Sequence, residues 1–140
     1  MKKSLLRDDL TLIGNRERLE LSLHRAHYEY QRRQQAYAVL SLSIDNLEQI
    51  NAKFGHSAGN EVFAAFVKRT ARMLRNTDSF AQASGEDFVI TLSHTDEACA
   101  IIIAQRLLDA NRVNLVPCKE GAINYKLSVG IGNCMSGDLS

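Results

Sequence analysis

Ala83-Ser84-Gly85-Glu86-Asp87-Phe88 is a short polar connection between two apolar or mixed segments, Ser79 to Ala83 before it and Phe88 to Ser93 after it. The later segment alternates, with Phe88, Ile90 and Leu92 on one face and Val89, Thr91 and Ser93 on the other. A period of two predicts a strand. A short connection holding one glycine between two strand-like runs predicts a β-hairpin. Glu86 and Asp87 stand at its tip. Carboxylates there suit an oxygen-ligand site for a hard cation such as Mg²⁺; Asp, Ser and Gly also populate plain turns.

Outward from the hairpin, helix and strand periods continue. Asn15 is placed to cap a helix whose inward stripe is Leu19, Leu23, Ala26 and Tyr30. Its other faces carry Arg16, Arg18, Arg25, Arg32 and Arg33, interleaved with Glu17, Glu20 and Glu29. Ala38 to Ile44 predicts a strand, with Leu40, Leu42 and Ile44 on one face. Asp45 follows at once and is read as a helix cap, with Glu48 three residues on. A helix then buries Leu47, Ile50 and Phe54. Gly55-His56-Ser57-Ala58-Gly59 predicts a turn, and His56 is read as part of that turn. A longer helix presents Val62, Phe63, Phe66, Val67, Thr70 and Leu74, and Asn76, Thr77 and Asp78 end it.

Beyond the hairpin, Ser93 or Thr95 is placed to cap a helix burying Ala98, Ile101, Ile102 and Leu108, with Cys99 in the core. Asn111 to Gly121 reads as a loop around Pro117, the only proline. Ile123 to Ile131 alternates, with Ile123, Tyr125, Leu127, Val129 and Ile131 inward, and Gly132 to Ser140 is a small polar tail. The order is a helix followed by β-α-α-β-β-α-β. It predicts an α+β fold: a mostly antiparallel central sheet flanked by helices.

The 140 residues suit one domain with a single sizeable core. A hydrophobic content of 45% and a charged content of 24% are ordinary for a globular chain. The net charge of +1 makes no electrostatic case for nucleic acid or a membrane surface. Cys99, Cys118 and Cys134 lack metal-ligand spacing and are read as reduced thiols. No run approaches the roughly 20 apolar residues of a membrane span. The expectation is a cytoplasmic chain, free-standing or the cytoplasmic part of a membrane-anchored protein.

Five segments together resemble the GGDEF domain of diguanylate cyclases. Asp8-Asp9-Leu10-Thr11-Leu12-Ile13-Gly14-Asn15-Arg16 is similar to the family's opening D-x-L-T-G-L-x-N-R. Ile44-Asp45-Asn46-Leu47-Glu48-Gln49-Ile50-Asn51 is similar to D-x-D-x-F-K-x-I-N. Phe54-Gly55-His56-Ser57-Ala58-Gly59-Asn60 is similar to Y-G-H-x-x-G-D. Ser84-Gly85-Glu86-Asp87-Phe88 stands where GG(D/E)EF belongs, and Ser128-Val129-Gly130-Ile131-Gly132 resembles the closing S-x-G strand. The resemblance spans nearly the whole chain. It implies the nucleotidyl-cyclase-like fold and cyclic di-GMP signalling, with one domain over residues 1–140 that lacks the family's C-terminal segment. In active members two GTP molecules condense across two facing domains, so activity requires a homodimer. A fused sensor or EAL-type domain in the parent protein is the expected context, with no nucleic-acid partner.

Residue by residue, the resemblance implies a damaged cyclase site. The family's first metal-binding aspartate falls on Ser43, and a neutral hydroxyl does not replace a carboxylate charge beside Mg²⁺. Asp45 lies on the same strand face but about 7 Å further along, so it is a weak substitute. The second carboxylate survives as Glu86, and the backbone carbonyl of Ile44 completes the metal set. Glu86 and Asp87 are thus vestigial catalytic residues, and weakly held Mg²⁺ is the one cofactor implied, with no organic cofactor. For the nucleotide, Asn51 matches the family's base-reading asparagine. Asn60 replaces an aspartate and can accept one guanine hydrogen bond where the carboxylate accepts two. Ser84 and Gly85 stand in the phosphate-facing turn, Ser84 replacing a glycine.

Arg75-Asn76-Thr77-Asp78 matches the RxxD of the family's inhibitory site, with Arg106 on the next helix as a further arginine. The resemblance assigns this trio to cyclic di-GMP, Arg75 bonding guanine or phosphate and Asp78 accepting from guanine. Three readings stand at this point. The first is a degenerate GGDEF domain sensing cyclic di-GMP or GTP as a regulatory module. The second is an active diguanylate cyclase with an altered metal site. The third is a non-binding interaction module that keeps only the fold.

Overall fold

The computed structural model describes residues 14–84, 86–112, 116–118 and 121–134. Asp8 to Ile13 of the opening motif, Gly85, and the tail beyond residue 134 lie outside them.

Helix α1 (Arg16–Arg33) begins where Asn15 Oδ1 accepts from the Arg18 N–H at 3.0 Å, as its sequence predicts. Glu17 in the first turn and Arg32 and Arg33 in the last suit the helix dipole. Leu19 and Tyr30 are buried, and Leu23 and Ala26 are half-buried. The helix stops at Gln34, whose left-handed backbone lets its N–H reach the Tyr30 carbonyl at 2.9 Å.

Strand β1 (Tyr37–Ile44) buries Ala38, Leu40, Leu42 and Ile44 and leaves the alternate residues half-buried or exposed. Helices α2 (Leu47–Phe54) and α3 (His56–Ala71) follow. The five-residue turn read at Gly55–Gly59 is corrected: Gly55 alone separates the helices, and His56 to Gly59 already belong to α3. Gly55 adopts φ 96° and ψ 163°, a region essentially reserved for glycine. Its N–H caps α2 at the Asn51 carbonyl, and its carbonyl accepts from the Ala58 and Gly59 N–H groups. Gly55→Ala is therefore expected to cost about 1–3 kcal/mol in a urea unfolding titration. A loss under about 0.5 kcal/mol, the spread of neutral surface substitutions, would show that the junction relaxes freely.

The cap role read for Asp45 is also corrected. Asn46 occupies the position before α2 and its side chain bonds elsewhere, accepting from the Lys126 N–H at 2.9 Å and donating to the Asn124 carbonyl at 3.4 Å. The start of α2 is thereby tied to the segment that leads into the last strand.

Strands β2 (Ser79–Ser84) and β3 (Asp87–Ser93) form the predicted hairpin. With β6 (Leu127–Cys134) they make a four-stranded sheet in the order β2-β3-β1-β6, antiparallel at every pairing. Gly14 adds a parallel bridge to the outer edge of β2: its N–H donates to the Phe80 carbonyl at 2.8 Å, and its carbonyl accepts from Gln82 at 2.9 Å. One sheet face carries Leu40, Leu42, Phe80, Phe88, Ile90 and Leu92 into the core with Val62, Phe66 and Val67 of α3. Helix α1 packs against β2, β3 and β1.

Helix α4 (Glu97–Arg112) departs from its sequence reading in three ways. Asp96 accepts from the Cys99 N–H at 2.9 Å, so the first-turn bond is made by Asp96 and by neither Ser93 nor Thr95. That bond holds the Asp96 carboxyl below its usual range. The buried side chains are Ala100, Ala104 and Leu107; Ile101 and Ile102 are about half exposed, and Ala98 and Cys99 are exposed. Third, the helix runs through Asn111 to Arg112. Asn111 is buried, donates to the Leu107 carbonyl, and accepts from the Tyr125 hydroxyl, which also accepts from Arg69 Nη1 at 3.1 Å.

The segment read as a loop contains β4 (Val116–Cys118), which pairs antiparallel with β5 (Gly121–Ile123). Ile123 and Tyr125 are buried and Leu127 and Val129 pack on the core, while Ile131 is 41% exposed. β6 continues to Cys134, so Gly132 to Cys134 are strand and not tail. No helix among the described residues is long and apolar enough to cross a membrane.

Candidate functional site

The residues singled out in the sequence gather at three places. The first is the tip of the hairpin and the end of β1. Ser84 lies opposite Asp87, after a register shift between Gln82 and Ser84. Ser84 Oγ donates to Asp87 Oδ2 at 3.2 Å. The tip folds back onto β1, because the Ile44 N–H donates to the Glu86 carbonyl at 3.2 Å. Ser43 is the cross-strand partner of Asp87 on one side and of Ser128 on the other. Ser128 Oγ donates to Asp45 Oδ2 at 2.5 Å.

Each of the two aspartates at this end of the sheet thus accepts a hydrogen bond from a serine. Among the described residues no three His, Cys, Asp or Glu side chains come together as metal ligands. A divalent ion held away from water needs charged oxygens converging on it. Among the described residues the group is short of the carboxylates that a cage for two Mg²⁺ ions needs. Ser43 stands between Asp87 and Ser128.

The second place is the α2–α3 junction. Asn51 is half-buried near the end of α2, and Asn60 is exposed in the second turn of α3. Gly59 is buried, and a Cβ there would fall on Asn51 Oδ1 and within 2.8 Å of its Cγ. The absent side chain at Gly59 is therefore what lets the Asn51 carboxamide lie where it does. Sequence reading placed Gly59 in a turn and at the glycine of the family's Y-G-H-x-x-G-D, without this packing role.

The third place is the start of β2, five residues and about 17 Å along the strand from the hairpin tip. Arg75 and Asp78 face each other as a bidentate pair: Nε to Oδ2 at 3.1 Å and Nη2 to Oδ1 at 2.8 Å. Asp78 Oδ2 also accepts from the Arg75 backbone N–H at 2.9 Å. Arg75 Nη2 reaches the Ser93 carbonyl at 2.8 Å and Thr95 Oγ1 at 3.1 Å. Ser93 Oγ donates to the Thr77 carbonyl at 2.6 Å. Ser93 and Thr95, read as helix caps, are in fact the floor of this clamp. The bidentate bond holds the Arg75 pKa above its ordinary value against a smaller effect of burial. The Asp78 side chain is 2% exposed and that of Arg75 52%. Nη1 of Arg75 makes no hydrogen bond among the described residues.

Arg106 is exposed on α4, nine residues and about 13 Å along the axis from Glu97. No hydrogen bond or ion pair among the described residues joins it to Arg75. The clamp therefore assembles two of the three residues the sequence put together.

The family profile described as "Diguanylate cyclase, GGDEF domain" matches residues 5–139. A diguanylate cyclase of Shewanella oneidensis, DgcS, is 27% identical over 128 residues, covering 87% of this chain and 43% of that protein. A diguanylate cyclase of Vibrio cholerae is 28% identical over 131 residues, covering 94% of this chain and 40% of that protein. The chain thus spans less than half the length of either relative. Among solved structures, the diguanylate cyclase SiaD of Pseudomonas aeruginosa, in complex with its activator SiaC, superposes with a TM-score of 0.84 at 27% identity, over 91% of this chain and 49% of that one. The GGDEF domain of TpbB from the same organism superposes at 0.81 and 27% identity, over 86% of this chain and 76% of that one. A profile match over nearly every residue and close superposition on solved relatives lead to one conclusion: the chain belongs to the GGDEF family of diguanylate cyclase domains.

Proposed function

We propose that this chain is a non-cyclising GGDEF domain that senses cyclic di-GMP as a regulatory module of a larger protein. The observation that carries the non-cyclising part is Ser43, flanked by Asp87 and Ser128 where the family's resemblance puts a carboxylate. With the charge missing and both neighbouring aspartates bonded by serines, metal-assisted attack on a nucleoside triphosphate lacks its cation seat.

The sensing part rests on the clamp. Arg75 keeps one nitrogen and half its surface free, while Asp78 is buried with both oxygens engaged. Arg75 is then the residue that meets the phosphodiester, through the N–H groups of its Nη1. Asp78 acts through Arg75 as a positioning residue, which departs from the base-reading role its motif implies. A second reading, GTP held at Asn51, is favoured by the Gly59 clearance that accommodates the carboxamide.

Calorimetry tests both. Cyclic di-GMP is expected to give saturable heat, weakened at least about tenfold by Arg75→Ala, the equivalent of about 1.4 kcal/mol. GTP heat, if it is the ligand, is weakened by Asn51→Ala instead. Incubation with GTP and Mg²⁺ or Mn²⁺ is expected to yield no cyclic di-GMP. Heat from neither nucleotide removes the sensing role, and product formation removes the non-cyclising one.

A further inference from the structure

Helix α1 closes onto the sheet with one stripe, in which Leu19 and Tyr30 are buried. Away from that stripe it leaves two large apolar side chains uncovered: Leu21 is 56% and Tyr28 54% exposed. Seven residues apart, they stand about 10 Å apart along the axis, nearly two turns on one face. Arg18, Arg25 and Arg32 are all exposed and recur at the same spacing. Positions 18, 21, 25, 28 and 32 step by three and by four, so cation and apolar group alternate along one continuous stripe.

The charges of α1 divide along this stripe. Arg16 pairs with Glu20 at 3.9 Å and Arg33 with Glu29 at 3.6 Å, and none of those four belongs to it. Arg18 and Arg25 make no ion pair and no side-chain hydrogen bond among the described residues. Arg32 makes no ion pair there either, but its Nη1 donates to the Tyr28 hydroxyl at 3.2 Å, and its guanidinium carbon lies 5.5 Å from the ring centre. The ring is thus braced before any partner arrives, which lowers the ordering cost of contact. Tyr and Arg are enriched where proteins meet; Lys, depleted there, does not occur in α1.

We propose that this stripe docks an amphipathic helix of a partner protein, one whose apolar side chains are flanked by carboxylates. An apolar side chain of that helix packs between Leu21 and Tyr28, and its carboxylates meet the guanidinium forks of Arg18, Arg25 and Arg32. Charge selects this occupant. In a second copy of this chain, matching Leu21 and Tyr28 across a two-fold axis sets Arg25 against its own copy, whichever way the helices run. A lipid surface needs a broad apolar face to enter it, and α1 has turned its broad apolar face to the sheet. The proposal uses neither Arg75 nor Asp78 and goes beyond nucleotide sensing.

The probe is a synthetic helix of about three heptads, with leucine at the core positions and glutamate at the flanking ones, where like charge opposes self-pairing. It is labelled and titrated with the full chain by fluorescence anisotropy. Saturable binding is expected, at least about tenfold tighter than that of a peptide of the same composition with its leucines moved off the stripe. Leu21→Ser/Tyr28→Ser changes only exposed side chains, so it is expected to keep the parent's circular dichroism and to bind at least about tenfold more weakly. Arg25→Glu/Arg32→Glu is expected to lose the glutamate probe and to take up its lysine counterpart, which the parent rejects. Lys68→Glu/Arg72→Glu makes the same charge change at exposed positions on or just after α3 and is expected to leave affinity within about twofold. No saturable binding, equal binding of the patterned and rearranged peptides, or no exchange of preference on charge reversal overturns the proposal. So does sedimentation with phosphatidylserine vesicles that Leu21→Ser/Tyr28→Ser abolishes, which would make the stripe a lipid-docking surface.

Discussion

Phe88→Ala is expected to destabilise the domain by about 3–5 kcal/mol, the range for truncating a buried phenylalanine. Phe88 has no exposed surface. Its ring lies 4.7 Å from that of Phe66, 5.7 Å from Phe63 and 6.1 Å from Phe80, centroid to centroid. Phe66 and Phe80 also meet edge-on at 5.9 Å. Removing one ring from a mutually packed group leaves a void bordered by rings that cannot collapse into it without leaving their rotamers. Phe88 also follows Asp87 directly and pairs with Leu42 and Gln82, so the void opens beneath the hairpin tip. Against a typical stability of about 5–15 kcal/mol, such a loss removes a large share. Urea unfolding measures it as a lower midpoint at constant slope. A loss below about 1.5 kcal/mol would show that the cluster repacks.

Asp78→Ala is expected to cost about 2–3 kcal/mol. Removing one partner of a fully buried pair costs about 3–5 kcal/mol. Here only the carboxylate is buried; Arg75, with 52% of its side chain exposed, recovers part of the loss by hydration. The remainder comes from the unmet Arg75 backbone N–H and from the contacts of Nη2 to Ser93 and Thr95, which the carboxylate holds in place. A double-mutant cycle with Arg75→Ala is expected to return a coupling of about 1 kcal/mol or more. Additive losses would mean that the two side chains stabilise the fold independently.

The parts of the fold legible in the sequence are those where period and capping residue agree. Asn15 ahead of the α1 stripe, the alternation of β1 and β3, and the glycine-bearing hairpin all behave as their residue types require. Helix α4 is different because Ala98 to Ala104 is continuously apolar. Periodicity cannot set the phase of such a run, and the sheet selects the small Ala100 and Ala104, which permit close approach, over the larger Ile101 and Ile102. Ser93, Thr95 and Asp96 are equivalent capping candidates on local grounds. Arg75, some twenty residues earlier, engages the first two and leaves the third to the helix. The loop assigned from Asn111 onward failed for a similar reason: the partner that makes a buried asparagine tolerable is Tyr125, fourteen residues later. At the candidate site, the carboxylates of the tip are legible in the hairpin itself, and Arg75 with Asp78 only through the family resemblance. The bond from Ser128 to Asp45 spans 83 positions and has no local signature.

The place of β1 in the sheet has a consequence for how the chain reaches its native form. It is synthesised first among the strands, yet both of its neighbours, β3 and β6, come later. During translation its leucines and isoleucine leave the ribosome with nothing to pair with, and the second flank closes only when the segment from Leu127 onward has emerged. Such non-local closure slows folding and leaves an apolar ribbon open to wrong partners in the interval. In a longer parent protein, this wait falls before any downstream region has been made.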